Sequence, residues 1–128
     1  MTRPVVHFEI IGHDPIGLRT FYGALFDWQF DTSGPVSPAV SEAGEYGFVE
    51  LVTTRTGAGI PGGVGGGPEY EPRAVFYVGV PDVEAALVEA ERLGATRRWG
   101  PERAPGGDLV VGQFVDPEGN VIGVANIG

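Results

Sequence analysis

Hydrophobic and polar residues alternate through the first patterned stretch of the chain, residues 5–11. Alternation of this kind predicts a half-buried β-strand. One face would carry Val6, Phe8 and Ile10, and the other would carry His7, Glu9 and Ile11. Two neighbouring polar groups are unusual for a hydrophobic core, so the second face is expected to line something else.

Two later stretches repeat apolar residues at helical spacing. The first begins at Asp14-Pro15, where Asp14 is expected to cap the free N–H groups and Pro15 fits the first helical position. Its apolar stripe covers residues 18–26. The second helix is predicted to begin at Asp82 and to stop at Gly94.

Further strands are predicted over residues 28–30 and 47–53, from a two-residue period, and over residues 73–80, 95–99, 108–115 and 121–125. Between them, Gly57–Gly67 holds seven glycines in eleven positions. This segment predicts a loop and a glycine-weakened strand that another backbone or a ligand approaches closely. The residues Asp116–Asn120 predict a turn.

The second half of the chain repeats the first at an offset of 68 residues, which places Asp14 on Asp82 and Leu25 on Leu93. A strand, a helix and three strands thus occur twice. The repeat predicts an α+β fold of two βαβββ modules, over about residues 4–67 and 73–127. We expect residues 1–128 to form a single domain in which the modules build one cupped mixed sheet or barrel. Its cavity would be closed either within one chain or across a dimer.

The charge balance narrows the possible partners. Seventeen acidic residues against eight basic ones, all arginine, give a net charge of −9. This charge repels nucleic-acid phosphates and anionic membrane surfaces, so neither is expected as a partner. No apolar run reaches the roughly 20 residues that span a bilayer, and the N-terminus does not resemble a signal peptide. With no cysteine, a cytoplasmic protein without disulfides is expected.

Four features occur in a characteristic order: His7, the Phe21-Tyr22 pair, the helix start Asp82–Ala86, and the turn Asp116–Asn120 before the last strand. In this order they resemble the vicinal oxygen chelate superfamily, which contains glyoxalase I, bleomycin-resistance proteins and extradiol dioxygenases. The resemblance covers nearly the whole chain and implies the glyoxalase/bleomycin-resistance-like fold.

Enzymes of this superfamily hold a divalent metal on four strands, and the resemblance implies where the ligands would lie. His7 matches the first ligand, whereas Val75 and Gly123 fall on two others and cannot bind metal. The fourth falls in the glycine-rich segment, with Glu50 as a substitute from a neighbouring strand. A first-row metal as a rule needs about three protein donors. We therefore expect no catalytic metal and no other cofactor.

The candidate ligand contacts include polar groups and cavity walls. His7 and Glu9 are expected to touch a ligand or to act as acid–base groups, with a purely structural role as the alternative. Tyr77 is either a ligand anchor or a core tyrosine, and Glu50 is either a ligand contact or solvated. The remaining candidates are the aromatic walls Trp28, Trp99 and Phe114, and the small residues Val75 and Gly123 that would widen the cavity.

The leading functional prediction is metal-independent sequestration of a small apolar or aromatic drug or metabolite, similar to the bleomycin-resistance branch. The acidic balance favours a cationic ligand. One alternative is a cofactor-free or glyoxalase-like lyase or isomerase that uses His7 and Glu9, and another is an interaction module with a vestigial cavity. Exposed sheet edges favour a homodimer.

Overall fold

The computed structural model describes residues 2–127, in which two helices and eight strands occur. Their order repeats βαβββ twice, which confirms the predicted α+β fold. The elements are β1 (Val5–Gly12), α1 (Pro15–Phe26), β2 (Phe30–Asp31), β3 (Gly47–Val49), β4 (Gly62–Gly66), β5 (Arg73–Gly79), α2 (Val83–Arg92), β6 (Thr96–Arg103), β7 (Val110–Val115) and β8 (Val121–Ala125).

The chain divides into two compact units. The first unit is His7–Ala74, and the second contains the residues up to Val6 and those from Val75 onward. In the second unit, the N–H of Gly79 donates to the carbonyl oxygen of Pro4 at 2.8 Å, which ties the N-terminal residues to β5. A single domain over residues 1–128 stays a prediction.

The strands of the first unit lie in the order β2-β3-β4-β1. β1 runs parallel to β4, and the other neighbours are antiparallel, so the sheet is mixed. The glycine-rich segment ends in β4, a fully buried central strand. A Cβ on Gly62 would lie 2.2 Å from the Phe8 ring, and one on Gly63 would lie 2.0 Å from the Tyr46 ring. Glycine is therefore required where aromatic rings cover both faces of β4.

The strands of the second unit lie in the order β5-β8-β7-β6, with β5 parallel to β8 and the others antiparallel. α2 covers one face, where its Val83 and Leu87 pack with Val80 and Val124. A second buried cluster contains Val75, Tyr77 and Ala125. The second unit therefore repeats the strand order of the first.

The predicted helix caps are confirmed. The carboxylate of Asp14 accepts a hydrogen bond from the N–H of Gly17, and that of Asp82 accepts one from Ala85, each at 3.0 Å. These bonds satisfy N–H groups that the first turn leaves without a helical partner. Within residues 2–127, neither helix is long and apolar enough to cross a membrane.

Asp116 organises the turn before β8. Its carboxylate accepts hydrogen bonds from the backbone N–H groups of Asn120 and Glu118 and from the Asn120 side chain, at 2.8–2.9 Å. These bonds, chiefly those from Asn120, lower the pKa of Asp116. Gly119 has φ 97°, which glycine adopts without a Cβ penalty. The predicted turn is therefore present and internally satisfied.

Several predicted strand ends were wrong. The strand expected over residues 47–53 ends at Val49, because its pairing with β4 stops at Gly62, which lies opposite Val49. The strand expected over residues 95–99 extends to Arg103 through pairing with β7. The one expected from residue 108 begins at Val110. Because β3 ends at Val49, Glu50 lies beyond this strand and is exposed.

Candidate functional site

Tyr46 connects His7 and Glu9 within the first unit. Its hydroxyl donates to Glu9 Oε1 at 3.1 Å, and His7 Nε2 lies 2.9 Å from the same hydroxyl oxygen. The hydroxyl has one proton, so His7 Nε2 donates when that proton is directed at Glu9. Glu9 is only 3% exposed and Tyr46 only 2%. The two polar residues predicted from the sequence thus share a buried tyrosine.

Burial determines the charge of His7. Desolvation lowers the pKa of His7 from 6.5 to about 4, because removal from water disfavours the imidazolium. His7 is therefore neutral at pH 7. A base with so low a pKa is poorly matched to proton abstraction at neutral pH. The arrangement suits hydrogen bonding better than acid–base chemistry.

Tyr77 belongs to a second polar chain, in the second unit. Gln113 Nε2 donates to the Tyr77 hydroxyl at 2.9 Å, and Arg98 Nη1 donates to Gln113 Oε1 at 3.0 Å. Gln113 and Tyr77 are buried. The Tyr77 ring covers Gly123, where an added Cβ would lie 2.3 Å away. Tyr77 is therefore a buried residue whose hydroxyl is bonded inside its own unit.

The residues present do not fit the divalent metal that the superfamily resemblance implies. Within residues 2–127, no group of three His, Cys, Asp or Glu side chains is placed to hold an ion. Val75 packs in an apolar cluster with Tyr77 and Ala125. Gly123, the other predicted substitution, lies under the Tyr77 ring. No metal-dependent step is assigned to these residues.

Trp28 and Glu50 line the same groove in the first unit, with a volume of about 520 Å³. We name it the aromatic groove. It contains four aromatic rings and three carboxylates, and no basic residue. These groups are Phe26, Trp28, Phe30, Phe48, Asp27, Asp31 and Glu50.

Neighbouring rings fix the indole of Trp28. Its ring centroid lies 5.1 Å from that of Phe8, 5.2 Å from that of Phe26 and 5.7 Å from that of Tyr22. Phe30 meets it edge-on at 6.5 Å. Contacts of this kind add to the apolar burial of each ring. The half-buried indole therefore presents a preorganised surface to the groove.

The aromatic groove is negatively charged. Asp31 Oδ1 accepts hydrogen bonds from the Ser33 hydroxyl at 2.6 Å and from the Ser33 N–H at 2.9 Å, and these bonds lower the pKa of Asp31. Within residues 2–127, none of Asp27, Asp31 and Glu50 forms a salt bridge. The three charges are therefore not compensated by a neighbouring cation.

The other predicted aromatic walls lie in the second unit. Phe114 packs against the α2 cluster and lines a separate groove of about 580 Å³ along that helix. Trp99 pairs with Gln113 across β6 and β7, and its Nε1 is buried without a hydrogen-bond partner. Trp28 and Phe114 thus line different grooves. Ligand contact by any predicted residue stays a prediction.

Sequence reasoning missed four residues that complete these clusters: Tyr46, Phe48, Arg98 and Gln113. Tyr46 and Phe48 continue the two-residue period of Glu50, and this period was the available signal. Gln113 is an isolated polar residue within an apolar strand. Nothing local identified Arg98, because its contact with Gln113 depends on strand pairing.

Comparison with known proteins gives a family match and several similar folds. Residues 8–125 match the family model described as a glyoxalase-like domain. A search of curated proteins found no match. A variant of Streptomyces coelicolor methylmalonyl-CoA epimerase, in complex with 2-nitronate-propionyl-CoA, superposes with a TM-score of 0.66 at 16% identity, covering 98% of this chain and 96% of that chain.

A second similar structure is a glyoxalase/bleomycin resistance protein/dioxygenase superfamily member from Vibrio splendidus 12B01. Its TM-score is 0.57 at 14% identity, and the alignment covers 97% of this chain and 98% of that chain. At these identities the two structures establish a common fold and no common activity.

Proposed function

The chain belongs to the glyoxalase-like domain family, and from this premise we propose that it sequesters a small aromatic molecule without a metal. The observation that supports the proposal is the aromatic groove, in which Trp28 and Glu50 lie beside Phe30 and Phe48. Ligand sites are typically mostly apolar, with a few polar groups and a volume of about 300–1,000 Å³. The groove has this composition and size.

We do not propose the ligand of the similar epimerase for this chain. Its structure contains a coenzyme A ester, whose phosphates are anionic. The aromatic groove has three carboxylates and no basic residue, so it would repel such a ligand. The fold supports a small-molecule partner, and the groove indicates a different chemical class.

Single-tryptophan variants test the proposal. The chain has two tryptophans, so Trp99→Phe leaves only Trp28 and Trp28→Phe leaves only Trp99. Titration with quinoline should quench the emission of the first variant saturably and leave that of the second unchanged. Saturable quenching of Trp99 alone, or of neither variant, would contradict binding in the aromatic groove.

A truncation provides a second measurement. Trp28→Leu should weaken quinoline binding about tenfold in calorimetry, because the loss of one aromatic contact corresponds to about 1.4 kcal/mol. Trp99→Phe, outside the groove, is the matched control and should retain the affinity. Circular dichroism establishes that each variant is folded, and Phe48→Leu replaces Trp28→Leu if the latter does not fold.

A second candidate function is cofactor-free lyase or isomerase activity, and the tyrosine shared by His7 and Glu9 favours it. The low pKa of His7 weighs against it. Measurement of turnover and binding separates the two candidates. If His7→Ala abolishes the conversion of a bound metabolite without changing its dissociation constant, the protein is an enzyme.

We also propose a homodimer. The support comes from α1, where Phe21 and Leu25 are 57% and 58% exposed. A contiguous exposed apolar patch often marks a protein–protein interaction site. Arg19 is the single charged residue of this helix, so two copies of an acidic chain would meet there with little repulsion. A cytoplasmic location is retained as a prediction.

A further inference from the structure

We infer that the aromatic groove takes an organic cation: a planar aromatic molecule that carries a quaternary or protonated amine. This inference rests on the proposed function, since it names the chemical class of ligand for the same groove. It requires two features together, aromatic faces for the ring and an uncompensated negative charge for the amine.

The first feature is the set of rings. Trp28 offers the side chain with the strongest cation–π interaction, provided that a cation lies within about 6 Å of the ring centroid. Contacts with Phe8, Phe26 and Tyr22 hold the indole in one orientation. The contact therefore requires little reordering of the side chain when a ligand arrives.

The second feature is the set of carboxylates. Asp27, Asp31 and Glu50 line one groove of about 520 Å³ without a basic residue among the lining groups. Asp31 is held in place by two hydrogen bonds from Ser33 to its Oδ1 atom. Like charges around one cleft raise the local concentration of counter-ions. An amine entering the groove compensates charges that no salt bridge within residues 2–127 compensates.

The net charge of the chain acts in the same direction. A total of −9 attracts cations and repels anions before any contact is made. An apolar neutral ligand gains from the rings alone, and an anionic one loses on approach. Of the three ligand classes, only the cation gains from both features.

A matched pair of probes tests the inference. Quinoline is neutral at neutral pH, and N-methylquinolinium has nearly the same shape with a permanent positive charge. Calorimetric titration of the chain should give about tenfold tighter binding of the cation than of quinoline, because the cation–π and charge terms together approach the 1.4 kcal/mol of a tenfold change. Added salt should weaken the binding of N-methylquinolinium but not that of quinoline, since salt screens exposed charges.

A carboxylate substitution identifies the charges responsible. Glu50→Gln should weaken N-methylquinolinium binding several-fold more than it weakens quinoline binding. Glu69→Gln removes the same unit of charge from an exposed position outside the groove, so it is the matched control and should have little effect on either probe.

The outcomes separate this inference from the proposed function. Equal binding of the two probes would overturn the cation inference and leave aromatic sequestration intact. Equal effects of Glu50→Gln and Glu69→Gln would also overturn it, because the net charge and not the groove would then be responsible. Binding of neither probe would overturn both proposals. Tighter cation binding that depends on Glu50 supports both.

Discussion

His7 shows at the scale of one residue how burial changes chemistry. The sequence marks it as a polar residue on a strand face, which is also the first ligand position in the superfamily. The structure gives it a tyrosine hydroxyl at 2.9 Å and lowers its pKa to about 4. A residue that could have been a metal ligand or a base is thereby a neutral hydrogen-bonding group.

The titration of His7 predicts a pH dependence of stability. The folded pKa of about 4 lies below the ordinary value of 6.5, so between these values the unfolded chain binds a proton that the folded chain excludes. The free energy of unfolding should therefore fall as the pH is lowered from 6.5 to 4, by at most about 3 kcal/mol. Urea unfolding across this range measures the slope.

His7→Gln is the control for this titration, because glutamine keeps a polar side chain and has no proton to gain. The variant should lose less stability than the natural chain between pH 6.5 and 4. Identical slopes in the two proteins would show that other groups cause the loss of stability in acid and that the pKa of His7 is not lowered.

The Tyr46 hydroxyl supports a second prediction. Tyr46→Phe removes the hydroxyl that donates to buried Glu9, and the loss of a hydrogen bond to a buried carboxyl group should cost about 1–3 kcal/mol of unfolding free energy. Tyr70→Phe is the matched control, since its hydroxyl bonds the Pro38 carbonyl at an exposed site and should cost about 1 kcal/mol or less. Equal losses would show that burial adds nothing at Tyr46.

At the scale of one element, β4 shows how packing restricts the residues that a strand can contain. The glycine-rich segment was predicted as a loop and a glycine-weakened strand, and five of its residues form an interior strand of the first unit. Strand propensity is not what places it there. Pairing on both edges and rings on both faces compensate for residues that have little or no side chain to bury.

Gly63→Ala tests this account of β4. The new methyl group would lie 2.0 Å from the Tyr46 ring, so the ring must move and its bonds to His7 and Glu9 must lengthen. Overpacking of this kind should cost about 1–3 kcal/mol or more in denaturant unfolding. Gly107→Ala, where no atom lies within 4 Å of the new Cβ, should stay within about 0.5 kcal/mol. A tolerated Gly63→Ala would show that the ring is loosely held.

The proposed association belongs to the scale of the whole molecule. Phe21→Glu with Leu25→Glu should convert the predicted dimer into monomers in light scattering, because charge on the α1 surface would have to be desolvated on association. Val88→Glu introduces one such charge at a residue 52% exposed on α2, and should leave the mass unchanged. A natural chain that is monomeric at every concentration would refute the dimer.

Periodicity by itself determined the two βαβββ modules, both helix starts and the face shared by His7 and Glu9, because spacing and capping act over a few residues. Only the tertiary structure decided that Tyr46 joins His7 to Glu9, that β3 ends at Val49, and that Trp28 and Glu50 share a groove. These features depend on contacts between segments far apart in the chain. A local pattern shows which residues are available for such contacts, and packing decides which of them meet.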